Sequence, residues 1–120
     1  MPAIRVTKAD VTITLRAEEN GIGPEENYDI PGIKQSNRDA KLFVDAVHEM
    51  TDKHGLWGWC QVTVTVRLGP LKGESHMGDC SYESEDDFIH NSGYSNDMVA
   101  DAIADLQNSI DATYALIHVD

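Results

Sequence analysis

The stretch Leu56-Trp57-Gly58-Trp59-Cys60-Gln61-Val62-Thr63-Val64-Thr65-Val66-Arg67-Leu68 decides how the rest of the chain is read. Leu56, Cys60, Val62, Val64, Val66 and Leu68 fall on alternate positions, and Gln61, Thr63, Thr65 and Arg67 fill the places between. An extended chain points successive side chains to opposite faces, so this period marks a half-buried strand. Trp57 and Trp59 begin on its polar side. Gly69-Pro70-Leu71-Lys72-Gly73 then reads as a turn, and a weaker strand from about Glu74 to Glu83 pairs back as a hairpin. With the turn centred near Leu71, Cys60 falls close to Tyr82 and Val62 close to Cys80. Both thiols then lie on the same side of neighbouring strands.

Upstream, Asn37 to His54 reads as a helix with the apolar stripe Leu42, Phe43, Ala46, Val47 and Met50. Ser36 or Asn37 caps it, Asp39 sits in its first turn, and Gly55 is its left-handed stop. Before it, residues 17–36 form a long acidic loop carrying Gly21, Gly23, Pro24, Pro31 and Gly32. Loops of that length are functional or mobile more often than not. At the start of the chain Val11-Thr12-Ile13-Thr14-Leu15 alternates as a strand, with Asp10 as a turn or bulge before it.

Downstream, Ser84-Glu85-Asp86-Asp87 resembles a capped helical turn leading into Phe88 and Ile89. A last helix runs from about Ser95 to His118 on Val99, Ile103, Leu106, Ile110, Tyr114 and Ile117. The order is β-α-β-β-α. The fold class is α+β: a small three-stranded sheet, antiparallel or mixed, with both long helices packed on one face. A helix joins the first two strands, which allows a parallel pair with a right-handed crossover. The 120 residues suit one domain, 1–120.

Charge is the outstanding bulk property: 21 acidic against 9 basic residues, a formal −12. That field repels nucleic acid and anionic membrane and favours basic protein surfaces. The apolar runs are too short to span a bilayer, and the first residues lack the apolar core of a signal peptide. Two cysteines are too few for a secreted disulfide scaffold, so a reduced cytoplasm is the expected compartment.

Chemistry leaves little trace. Cys60, Cys80 and His76 are the nearest thing to a metal set, but no C-x-x-C or H-E-x-x-H spacing occurs, and buried inert thiols are the better reading. His48, His54, His76, His90 and His118 stand near no nucleophile signature, and no phosphate-binding glycine loop follows a strand. The expectation is no enzyme and no cofactor. Trp57 and Trp59 are either covered by the rest of the fold or offered as aromatic anchors to a partner. Glu83, Glu85, Asp86 and Asp87 form one acidic cluster, and Asp97, Asp101 and Asp105 a stripe on one helix face. The stripe spans ~12 Å, along which duplex DNA presents about seven charges. Three carboxylates alone are therefore too sparse to imitate DNA.

The Trp57-Gly58-Trp59-Cys60 strand, followed by Met77-Gly78-Asp79-Cys80-Ser81-Tyr82, resembles small uncharacterised proteins of phages, prophages and plasmids. Those carry a W-x-W-C strand, an L-G-x-C-S-Y segment and a terminal amphipathic helix; here Met77 takes the place of the leucine. The similarity covers Leu56 to Leu106 and brings no catalytic residue with it. It implies the setting of anti-defence proteins, anti-CRISPR inhibitors among them, which bind basic nucleic-acid-handling partners of the host stoichiometrically. The expected contact residues are Trp57, Trp59, Glu83, Glu85, Asp86, Asp87, Asp97, Asp101 and Asp105. Two alternatives stay open: a nucleotide-signal sponge using Arg5, Lys8, Arg16, Lys34, Arg38 or Arg67 for an anion, and a virion assembly protein. Homodimerisation through the open sheet face is also open.

Overall fold

A computed structural model of the chain describes residues 4–21, 23 and 37–117, with side chains in the last span from residue 41 onward. Its elements are a short 3-10 turn at Lys8–Asp10, β1 (Thr12–Glu19), α1 (Asn37–His54), a 3-10 turn at Gly55–Gly58, β2 (Cys60–Leu68), β3 (Leu71–Cys80), α2 (Glu85–Asn91) and α3 (Ser95–Ile117). The protein is α+β, with three helices and one three-stranded sheet in the order β1-β2-β3. The caps expected at Ser36 and Asp39 and most of the 17–36 loop lie outside the described residues.

Every pair in the sheet is antiparallel, which corrects the parallel crossover. Glu19 at the end of β1 pairs with Cys60 at the start of β2, so the chain leaves and re-enters the sheet at the same end. A parallel crossover would have required α1 to travel the length of the sheet. Instead α1 makes its main contacts with the Gly55–Gly58 turn, and α3 is the long helix that packs on β2 and β3. Gly58 shows how close α1 comes, because a Cβ there would strike the backbone of Met50 and Thr51. Gly55 ends the helix at φ 64, as its left-handed role requires.

The hairpin is tighter than its sequence suggested. Two residues, Gly69 and Pro70, make the turn, with Gly69 at φ 59. Glycine with positive φ at the first position and proline at the second suits the type II′ turn, whose twist matches the flanking strands. Leu71 and Lys72 already belong to β3, and Gly73 is a strand residue pressed beneath α3. The ladder runs Leu68↔Leu71 to Val62↔Met77 and then slips by one residue, so that Cys60 faces Cys80 rather than Tyr82. β1 also runs on to Glu19, because Ala17 and Glu18 find partners in Val62 and Gln61 despite weak strand propensity.

One hydrophobic cluster joins these elements: Cys60, Val62, Val64 and Val66 from β2, Cys80 from β3, Phe88 from α2, and Met98, Ala102, Leu106 and Ile110 from α3. The buried row of α3 advances by four residues; Leu106 and Ile110 belong to the stripe read in the sequence, while toward the N-terminus Met98 and Ala102 take the buried places and Val99 and Ile103 are half-buried beside them. Ile117 is 70 % exposed and Leu116 80 %, because the helix outruns the sheet.

Candidate functional site

α2 and α3 hold most of the expected acidic residues. Ser84 Oγ accepts the Asp87 N–H at 3.1 Å, and Asp87 returns the bond by accepting the Glu83 N–H at 3.0 Å and Asn91 Nδ2 at 2.9 Å. Hydrogen bonds from the Glu83 backbone and the Asn91 side chain hold the Asp87 carboxyl below the usual range. Asp87 is thus half-buried and occupied as a helix cap, while Glu83, Glu85 and Asp86 are exposed around it. On α3, Asp105 Oδ2 accepts the Glu74 N–H at 2.9 Å. β3 is an edge strand, and this carboxylate closes one of its outward donors. Asp101 and Asp97, one and two turns earlier, are exposed and make no hydrogen bond or ion pair among the described residues.

A wider pattern encloses these groups. Lys72 is the last basic residue of the chain; residues 73–120 contain 11 Asp and Glu with no Lys or Arg, whereas residues 1–72 contain 10 acids and all 9 bases. β3 after Lys72, α2 and α3 therefore carry no Lys or Arg of their own, although Glu74 meets Arg16 Nη2 at 3.8 Å and Lys72 Nζ at 3.7 Å. The opposite face of the sheet differs. There Arg16 Nε lies 3.2 Å from Glu18 Oε1, and Arg16 Nη1 donates to Thr65 Oγ1 at 3.1 Å. Thr65 Oγ1 donates to Glu74 Oε2 at 3.2 Å, and Thr63 Oγ1 shares a hydrogen bond with His76 Nδ1 at 3.0 Å. These long side chains bury Thr63 and Thr65 completely, so the face expected to be open for dimerisation is a self-paired polar layer. A hydrogen bond with Thr63, then the charge of Arg16 and His76, lowers the Glu18 carboxyl.

The two tryptophans separate. Trp57 belongs to the 3-10 turn and is half-buried against Phe88, ring centroids 6.0 Å apart; Phe88 in turn meets Tyr82 edge-on at 5.0 Å. The Trp57 carbonyl accepts the Tyr82 N–H at 2.8 Å. Trp59 faces the other way and sets its edge on Phe43 of α1 at 6.0 Å and 82°. It lines a cleft of about 470 Å³ with Val47, Leu56, Thr51, His48, Glu19 and the start of the long loop. The residues described along this cleft include no Lys or Arg.

A feature unread in the sequence lies at the same end of the sheet. The slip in the ladder is a β-bulge at Gly78 and Asp79, and Asp79 adopts φ 56, a conformation uncommon outside glycine. Asn20 clamps it twice: its Nδ2 donates to Asp79 Oδ1, and its Oδ1 accepts the Asp79 N–H, both at 2.9 Å. A Gly-Asp pair inside a strand pattern is the local signal for such a bulge. His76 points to the polar sheet face, away from the core that holds Cys60 and Cys80, so these three do not converge. Among the described residues no group of three His, Cys, Asp or Glu gathers around a common centre, and no helix is long and apolar enough to cross a membrane. No protein-family model, curated protein or solved structure matches the chain.

Proposed function

We propose that this chain is a non-enzymatic acidic binding protein that occupies a basic, nucleic-acid-handling surface of a partner. The setting we propose is that of its resemblance, a mobile element opposing a host defence complex. The observation that carries the reading is the run of 48 residues after Lys72 with 11 carboxylates and no Lys or Arg. It supplies β3 after Lys72, α2 and α3, elements that bring several carboxylates and no Lys or Arg of their own. This eases the objection that three aspartates are too few. Glu83, Glu85, Asp86, Asp97 and Asp101 are the contact groups in this reading, with Asp87 and Asp105 holding the layer in shape. Trp57 serves the core more than a partner, and Trp59 stays at the margin.

The test is capture of partners from a host lysate at low and moderate salt, followed by competition with nucleic acid for the captured protein. Affinity should fall at least roughly tenfold between ~50 and ~300 mM salt, and nucleic acid should compete. Binding that ignores both would refute the proposal.

The cleft beside Trp59 favours a second reading, a small-ligand binder. Glu19 and the lack of described Lys or Arg along it argue for a neutral or cationic ligand rather than a nucleotide. A thermal-shift panel containing aromatic amines beside nucleotides separates the two ligand classes.

A further inference from the structure

The β-bulge brings two free thiols face to face. Cys60 and Cys80 are direct partners across β2 and β3, both buried in the same cluster and neither joined in a disulfide. Directly opposed residues of an antiparallel pair hold their Cα atoms about 4.5–5.5 Å apart, inside the range that a disulfide spans. Continued without the slip, the ladder would set Asp79 opposite Cys60 and carry Cys80 to Trp59, so the bulge creates the pairing. Cys80 Sγ reaches the Met77 carbonyl at 3.4 Å and the Gly78 carbonyl at 3.6 Å, which are weak sulfur contacts that a covalent bond displaces at little cost.

We propose that Cys60 and Cys80 are a site of reversible covalent modification, closing to an intramolecular disulfide by exchange with a low-molecular-weight disulfide of the glutathione class. Cys80 reacts first, because it ends the edge strand beside the exposed Gly78 and Asp79, where few ladder bonds need release. Its thiolate attacks the small disulfide, forming a mixed disulfide and expelling one thiolate. Cys60 then attacks the Cys80 sulfur and expels the second. The two cysteines lose two electrons and two protons; the small disulfide gains both as two thiols. In the resting fold both thiols are withdrawn from solvent, and burial raises both pKa values, so exchange waits on opening of this end of the hairpin. Once formed, the bond ties the strand ends from which Trp57, Tyr82 and the α2 cap depart.

The experiment uses the full chain, purified reduced and equilibrated against glutathione buffers from fully reduced to fully oxidised. Intact mass and iodoacetamide labelling are read at each step. The expected product is a monomer lighter by about 2 Da, with both thiols blocked and a peptide linking Cys60 to Cys80. Its melting temperature should exceed that of the reduced protein by about 10 °C, and reduction should reverse the change. A retained glutathione adduct, a covalent dimer, or two thiols that still label after equilibration under oxidising conditions would each overturn the proposal. Cys60→Ala serves as a control that must lose the 2 Da product; the wild-type mass change decides the matter even if that variant folds poorly.

Discussion

Gly73 and Gly69 stand four residues apart and need glycine for different reasons. A Cβ on Gly73 would enter the backbone of α3, striking the Ala102 carbonyl and lying 2.6 Å from the Leu106 nitrogen. Gly69 has open space around it but holds φ 59. Gly73→Ala should therefore cost about 2–3 kcal/mol by forcing helix and sheet apart, and Gly69→Ala about 1 kcal/mol by conformational strain alone. Urea midpoints of the two variants check the order; equal losses would mean that α3 does not press on β3 as described. Cys60 gives the residue scale its pH dependence. Burial, reinforced by Cys80, pushes its thiol up to about 11. The folded state thus keeps this proton at pH values where the unfolded chain has released it. The stabilisation is complete below about pH 9 and disappears as pH rises toward 11. Its size is roughly 2–3 kcal/mol. Stability measured at pH 8 and 10.5 should fall further in the wild type than in Cys60→Ala, and parallel curves would contradict the assignment.

At the scale of elements, α2 depends on its cap more than on its length. Seven residues cannot sustain a helix in water, so the Asp87 N–H bond to Ser84 Oγ, the Glu83 N–H bond to the Asp87 carboxylate and the anchor of Phe88 hold it. Ser84→Ala should cost about 1 kcal/mol and raise hydrogen exchange across residues 85–91 while leaving β2 protected. Asp87 acts in the direction opposite to Cys60. Its folded pKa is depressed, so its contribution is present at neutral pH and is lost as the solution is acidified through the carboxylate range. Helicity of α2 should accordingly fade in acid before the sheet melts, a change that residue-resolved amide exchange would detect. The hairpin was legible in the alternation of β2, and α3 in its periodic apolar residues. The bulge went unread although its local traces were present: the Gly78-Asp79 pair, and the spacing of three between Met77 and Cys80 that breaks the alternation. The facing strand fixes where the extra residue of β3 falls.

At the scale of the whole molecule, charge and shape act together. The acidic layer and the polar sheet face lie on opposite sides of a core one helix and one sheet thick. Among the described acids of α3, Asp97 and Asp101 are the ones that can be reversed without removing a structural bond, since Asp105 holds a backbone N–H and Asp111 accepts from Gln107 Nε2. The double variant Asp97→Lys/Asp101→Lys should stay folded and lose at most about 1 kcal/mol, because a lysine in the first turn opposes the helix dipole while reduced self-repulsion offsets part of that cost. It should lose binding to a basic partner by at least roughly tenfold, with a shallower salt dependence. Unchanged affinity would move the contact away from α3.

Sequence alone determined which segments become strand and helix, because alternation, periodicity, Ser caps and glycine stops act over a few residues. It also determined the absence of Lys and Arg from the acidic C-terminal part, although that pattern emerges only when the order of the charges, beyond their sum, is considered. Tertiary structure decided the rest. Antiparallel pairing of β1 with β2 depends on where a distant segment returns. The same holds for the diversion of α1 to the 3-10 turn, the parting of Trp57 from Trp59, and the meeting of Cys60 with Cys80. These are long-range choices, fixed by which partner surfaces fit, and no local period encodes them.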